Sequence, residues 1–325
     1  MNAYTDIIGR MRGLHALVIG DVMLDAYIWG SIDRISPEAP VPVVRVKRRD
    51  YRLGGAANVA LNVKALGASC TLCAVVGTDE AGSQVAERMR LNALETAGLV
   101  ESGSRPTTVK TRVISGHHHV VRVDEETDAS LSSSEFDALV ERIDAHLQSC
   151  NVVIFEDYDK GLITEELIHY VVEKCRAMEI PVVVDPKKKN FLSYKGVTLF
   201  KPNLKELKEG LNLIFEKSDF NAVKSALDTL RETLSCDRVM VTLSEHGIMI
   251  GDESQSEHIP AHIREIADVS GAGDTVISVA ALATALSATG AEIAKLSNLA
   301  GGLVCEHTGV VPVDLNEFLK EADKL

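Results

Sequence analysis

Short apolar runs rich in Val, Ile and Leu alternate along this chain with segments of helical period, and this alternation constrains the fold most. The runs Ala16 to Ile19, Val152 to Phe155, Val182 to Val184, Thr198 to Phe200 and Val239 to Thr242 read as strands buried on both faces. Ala56 to Leu66, Ser134 to Leu147, Glu165 to Met178 and Asn221 to Leu234 carry apolar residues at helical spacing. Apolar strands joined through helices imply an α/β fold with a mostly parallel central sheet covered by helices on both faces. Ligands of such sheets gather at the carboxyl ends of the strands, so chemistry is expected just after each apolar run.

Two regions break the rhythm. Val41 to Val46, and the pair Val109 to Ile114 and Val120 to Asp124 joined through Ser115-Gly116-His117-His118, read as short antiparallel strands without intervening helices. They predict a small β-sheet lid built from two distant insertions, about 22–50 and 105–125, able to cover a substrate and exclude water. The 325 residues otherwise read as a single domain without internal repeat or long linker.

The stretch Asp268-Val269-Ser270-Gly271-Ala272-Gly273-Asp274-Thr275 leads small residues into a carboxylate and then into the apolar run Val276 to Ala288, with Gly290 expected to close the helix. Gly271, Ala272 and Gly273 would then stand at a helix N-terminus, where unpaired N–H groups and the helix dipole attract anions. Asp274 reads either as a general base for phosphoryl transfer or as a helix cap.

Other segments after strands extend the site. Asp21 and Asp25 follow the first strand and offer acceptors to sugar hydroxyls, or cap a loop. Gly54, Gly55 and Asn58 either admit a ligand closely or form a turn into a helix. Asn203 and Glu206 are suited to hold Mg²⁺, largely through water. Lys187 reads as a phosphate contact or as part of a solvated lysine run, and Thr242 to Gly247 as a nucleotide contact. The net charge of −13 argues against a nucleic-acid surface and makes clustered cations conspicuous. Lys110, Arg112 and Arg122 gather in the lid, with Arg34, Arg45 and Arg52 as possible neighbours. They form either a phosphate site or a charge-protected sheet edge.

Six cysteines scattered through apolar surroundings read as reduced core thiols. Cys70 and Cys73 spell CxxC on a strand, where they face opposite sides and share no metal. His117 to His119 occupy a hairpin tip without a partner acid and are not assigned a metal. No cleavable signal or membrane-spanning run is evident, so a cytoplasmic protein without membrane partners is expected. No GxGxxG follows the first strand and no GxxxxGK[ST] occurs, against a dehydrogenase or a Walker-type nucleotide fold.

Over essentially its whole length the chain resembles the ribokinase-like (PfkB) carbohydrate kinases: the glycine pair with Asn58, the Asn-x-x-Glu element and the GAGD element follow the family's order and spacing. The resemblance implies a three-layer ribokinase-like fold and a carbohydrate kinase with an alcohol group as acceptor. It makes Asp274 the catalytic base and Gly271 to Gly273 the anion hole. Asn203, Leu204, Lys205 and Glu206 become the ATP segment, with Thr242, Glu245, Gly247 and Asn298 as further nucleotide contacts. Asp21, Asp25, Gly54, Gly55 and Asn58 become sugar contacts. ATP and Mg²⁺ are implied, and for many relatives a monovalent cation such as K⁺ near Asp268.

Within the family, Gly20 to Asp25, Gly54 to Gly67 and above all ISPEAPVPV, from Ile35 to Val43, look like the D-glycero-β-D-manno-heptose 7-phosphate kinases. These make the 1,7-bisphosphate for ADP-heptose and lipopolysaccharide core synthesis. Another sugar kinase of the same fold, or a binding protein that kept the fold without catalysis, are the alternatives. Ser270 stands where the family usually has threonine, and Asp159 where these relatives usually have alanine. With no HxGH-type nucleotidyltransferase segment, a separate enzyme is expected to complete the pathway. Exposed lid edges are compatible with a homodimer.

Overall fold

The computed structural model describes residues 2–116, 118–261 and 265–325. In chain order the strands are β1 (His15–Gly20), β2 (Val22–Ile35), β3 (Pro42–Gly55), β4 (Ser69–Gly77), β5 (Leu99–Ser102), β6 (Thr108–Ser115) and β7 (His118–Glu125). They continue with β8 (Val152–Glu156), β9 (Val182–Asp185), β10 (Leu199–Phe200), β11 (Arg238–Thr242), β12 (Ile248–Gly251) and β13 (Ser256–Ile259). The helices are α1 (Ala3–Met11), α2 (Ala56–Ala65), α3 (Glu80–Leu91), α4 (Ser133–Leu147) and α5 (Glu165–Ala177). The remaining five are α6 (Leu204–Gly210), α7 (Phe220–Leu234), α8 (Ala272–Ala285), α9 (Gly290–Val304) and α10 (Leu315–Ala322).

Nine strands form the central sheet in the order β13-β12-β11-β10-β9-β8-β1-β4-β5. Only the β11–β12 and β12–β13 pairings are antiparallel. The expected parallel core is therefore present, with an antiparallel edge. Its middle strands are buried on both faces, as in Val152–Glu156, where every residue is buried, so crossover helices must cover both sides. Helices α1, α2, α8, α9 and α10 pack on one another as one layer, and α4 and α7 lie against the sheet as parts of the other.

The helix after the glycine motif is central to that first layer. Every residue from Asp274 to Thr284 is buried, which an all-round apolar sequence requires. Its three hydroxyls return to the preceding turn, Thr275 donating to the Gly271 carbonyl at 3.3 Å, Ser278 to that of Asp274 at 2.6 Å and Thr284 to that of Ala280 at 2.7 Å. Gly290 does not close this helix. The chain turns out at Ser287, which takes a left-handed φ of 57°, and Gly290 opens α9 behind the Thr289–Glu292 capping box.

A second sheet stands apart, in the order β3-β2-β6-β7. Strands β2 and β3 form a long antiparallel ribbon and β6 runs parallel to β2. In this sheet β2 begins at Val22, directly after the first core strand, and β3 runs on to Gly55, past the expected end near 50. Asp25 consequently belongs to this sheet and not to a core loop.

Candidate active site where the lid meets the central sheet

Strands β1, β8 and β9 end side by side, with Gly20 in register with Glu156 and Glu156 with Asp185. The first turn of α8 arrives at the same place: a Cβ on Gly273 would lie 3.8 Å from Asp185 Oδ2. Gly271 precedes the helix with φ 81°, and a Cβ there would meet Val310 at 3.0 Å and Asn58 Nδ2 at 3.1 Å, so glycine is required twice over. Ala272 N–H is taken by the Val269 carbonyl at 3.3 Å. Of the proposed anion hole, the amides of Gly271 and Gly273 therefore remain as donors, and that of Ala272 does not.

Asp274 is 7% exposed. Its Oδ2 accepts from Asn58 Nδ2 at 2.5 Å and its Oδ1 from the Tyr158 hydroxyl at 3.2 Å. Burial pushes its carboxyl up to about 6; the Asn58 hydrogen bond opposes this and the Asp185 charge adds to it. Tyr158 keeps its proton, since burial and the nearby Asp274 charge raise its own pKa well above the usual phenol range. Asn58 sits inside α2 rather than before it, and its Oδ1 is buried without a partner. A buried acceptor left unpaired is costly, and one beside the reacting carboxylate is suited to a ligand hydroxyl. One turn on, Asn62 donates to the Asn58 carbonyl at 3.0 Å and accepts from Thr275 Oγ1 at 2.8 Å, locking α2 to α8.

Around Asp274 lies a cleft of about 220 Å³. Asp25, Gly54, Gly55, Asn58, Lys110, Arg112, Arg122 and Gly271 line it, so candidates from five separate stretches of sequence share one space. Gly54 makes room for Asp25, whose Oδ2 would lie 2.3 Å from a Cβ there. The lid cations are already paired: Arg112 with Asp25, Arg122 with Asp124, and Lys110 with Glu126 at 3.4 Å. Met23, Tyr158 and Val310 also line the cleft and were not singled out from sequence, and Ser270 lines it as well. Tyr158 had a legible signal, lying two residues beyond the end of an apolar strand.

Other candidates stand elsewhere. Asp21 is buried away from the cleft, its Oδ2 accepting from the amides of Tyr158 at 2.9 Å and Lys160 at 3.1 Å, and burial raises its pKa. It fixes the loop that carries Tyr158. Lys187 pairs with Glu206 at 2.8 Å and lies over the Tyr158 ring, and it is not among the residues that line the cleft. Burial alone would lower its pKa, but the Asp185 and Glu206 carboxylates outweigh that and hold it charged. Asn203 and Glu206 form a reciprocal capping box on α6, at 2.9 and 2.8 Å. Leu204 packs against the core and Lys205 pairs with Glu209 at 3.7 Å. Asn203 is bridged to Thr242, which places α6 beside the end of β11. Glu245 is exposed and paired with Lys217, Gly247 has φ 88°, and buried Asn298 donates to the Pro260 carbonyl at 2.8 Å.

Both Asp268 oxygens accept backbone amides, from Ser270 and Gly309, each at 3.0 Å. Burial works against its charge, but these bonds prevail and its pKa is lowered. Asp159 takes a left-handed φ of 56° and accepts from the Lys189 amide at 3.3 Å. All six cysteines are free, and Cys73 is buried with its thiol pushed up to about 12 by desolvation. His117 lies outside the described residues, and His118 and His119 are exposed on β7. Among the described residues no group of three His, Cys, Asp or Glu side chains is arranged to hold a metal ion. No described helix is long and apolar enough to cross a membrane.

A parallel sheet with a glycine-lined helix start and a buried acid at its strand ends, under a second sheet, defines a ribokinase-like kinase fold. Residues 14–315 match the pfkB family of carbohydrate kinases, and the chain belongs to that family. It is a sugar kinase. Bifunctional protein HldE of Caulobacter vibrioides is 42% identical over 307 residues, 94% of this chain and 63% of that protein. That of Citrifermentans bemidjiense is 38% identical over 313 residues, 96% of this chain and 64% of the relative. The chain thus spans a little under two thirds of the length of these curated relatives. Phosphofructokinase-2 from Escherichia coli in complex with potassium superposes with a TM-score of 0.79 at 20% identity, over 96% of this chain and 99% of that one. Ribokinase of Arabidopsis thaliana, complexed with ribose and ATP, gives 0.72 at 15% identity over 94% and 99%. These two share the fold.

Proposed function

We propose that the chain transfers the γ-phosphoryl group of ATP to the anomeric hydroxyl of D-glycero-β-D-manno-heptose 7-phosphate, giving the 1,7-bisphosphate and ADP for ADP-heptose and lipopolysaccharide core synthesis. The observation that carries this is the meeting of Asp274, the unpartnered Asn58 Oδ1 and the lid cations around one cleft. The sugar hydroxyl attacks the γ-phosphorus, the bond to the β-phosphate oxygen breaks, and the hydroxyl proton passes to Asp274. The amides of Gly271 and Gly273 face the charge that develops on the transferring group. Asn58 and Tyr158 hold the carboxylate in place. Lys110, Arg112 and Arg122 would exchange their carboxylate partners for the 7-phosphate.

Magnesium, when carried in with the nucleotide, neutralises phosphate charge. Glu206 fits it through water rather than directly, because Asn203 and Lys187 already occupy its two oxygens. Asp268, held charged by its two amides, is the residue toward which a K⁺ ion would be drawn. The partner is a small sugar phosphate, with neither nucleic acid nor membrane, and the cytoplasm is the expected compartment. A homodimer through the lid is part of the reading, since Ile35, Val41, Val121 and Val123 expose about half or more of their surface there.

The carboxylate partners of the lid cations favour a second reading, a kinase for another sugar or sugar phosphate. ADP release measured over a panel of sugars and sugar phosphates separates the two. Turnover that depends on heptose 7-phosphate is expected; turnover of ribose or a fructose phosphate without it would overturn the heptose assignment.

A further inference from the structure

We infer that Arg52 is a further specificity-determining residue, pairing with Arg112 to receive the phosphate of the sugar substrate and to latch the lid onto the loop around Gly309. This rests on the proposed reading of the cleft as a sugar-phosphate site.

Arg52 stands directly across from Asp25 in the β2–β3 register, and Gly54, two residues further on the same face, lines the cleft. Asp25 nevertheless pairs with Arg112 on the other neighbouring strand. Arg52 lies instead over the ring of Tyr27, 5.0 Å from its centre, and Arg112 lies 5.4 Å from the same centre. Two guanidiniums on one phenol are each attracted by the ring but repel one another. An anion bound by both would offset that repulsion and meet two planar forks suited to phosphate oxygens.

The partners of Arg52 leave it free to do so. Its ion pair with Asp50 is 3.3 Å long, with both side chains about one-third exposed at 33% and 34%, so it contributes little. Most of the five guanidinium donors remain for another acceptor. By contrast Arg45 pairs with Asp33 at the far, exposed end of the lid, and Arg34 is exposed there too.

Arg52 also crosses from lid to body. A Cβ on Gly309 would lie 2.5 Å from Arg52 Nη1, so the absence of a side chain there leaves the guanidinium its place. The Gly309 amide donates to Asp268 Oδ2, and Asp268 Oδ1 accepts from Ser270, next to Gly271. An anion drawn to Arg52 would thereby fasten the lid beside the glycine loop.

The test compares kcat/KM for heptose 7-phosphate with that for unphosphorylated heptose in the parent, Arg52→Ala and Arg52→Lys. In Arg52→Ala the ratio is expected to fall about 10- to 100-fold, the scale of a charged hydrogen bond, and Arg52→Lys to recover only part because an ammonium lacks the fork. A folding or general packing role would lower both substrates alike. A ratio that stays within about threefold of the parent's overturns the role of Arg52 alone, well short of that loss. A parent that shows no preference for the 7-phosphate overturns both this inference and the sugar-phosphate reading beneath it.

Discussion

Asp274 is a carboxylate held where water cannot stabilise its charge, and its use as a base and its cost to the fold have the same origin. Its pKa, raised from 3.8 to about 6, means that the folded state favours the protonated acid. The stability this gives is full below about pH 4 and is lost as pH rises toward 6, so at neutral pH the parent carries a buried charge. Asp274→Asn should therefore be more stable than the parent at neutral pH by roughly 2–3 kcal/mol. It should also lose about 10²- to 10⁴-fold in turnover. Denaturant melts at pH 7.5, set beside the kinase assay, check both, and a variant no more stable than the parent contradicts the burial argument. For the parent, kcat/KM should fall on the acid side below about pH 6 as Asp274 protonates.

At the scale of elements, capping decides how far α6 serves structure or nucleotide. The Asn203–Glu206 box satisfies two amides at the start of a short helix, a sufficient reason for that pattern without any ligand. Asn203→Ala should cost about 1 kcal/mol, and Asn203→Ser, which keeps an acceptor at the cap, should restore most of it. If the serine variant regains stability and its KM for ATP stays raised, Asn203 contacts the nucleotide as well. A KM that recovers with stability leaves it a cap alone. The contrast with α8 is instructive: there the residue before the helix is Gly271, which offers no side-chain cap, and the amides of Gly271 and Gly273 are left open.

Across the whole molecule, the lid with its clustered cations meets the acidic body at the cleft and again where α3 packs on β2 and β3, and the lid's outer strands β3 and β7 are open edges. Exposed edges combined with Val121 and Val123 predict self-association. Sedimentation should find a dimer that Val121→Asp with Val123→Asp dissociates. A parent that remains monomeric at micromolar concentration would exclude the lid as a dimer interface. That the glycine loop opens the helix carrying Asp274 was legible because those residues are consecutive in the chain. Asp21 and Lys187 were placed at strand ends, but position in the chain did not show that Asp21 turns to the Tyr158 and Lys160 amides, or Lys187 to Glu206.

Local sequence determined which segments are strands and helices and, through their order, that chemistry would collect where the strands end, because apolar period and backbone hydrogen bonding act over a few residues. The tertiary structure decided which charges and amides meet. Asn58 and Asp274 are 216 residues apart and Arg112 and Asp25 are 87 apart. A side chain's electrostatic partners, and with them its pKa and its availability to substrate, are fixed by distance through space, and the sequence alone carries no measure of that distance.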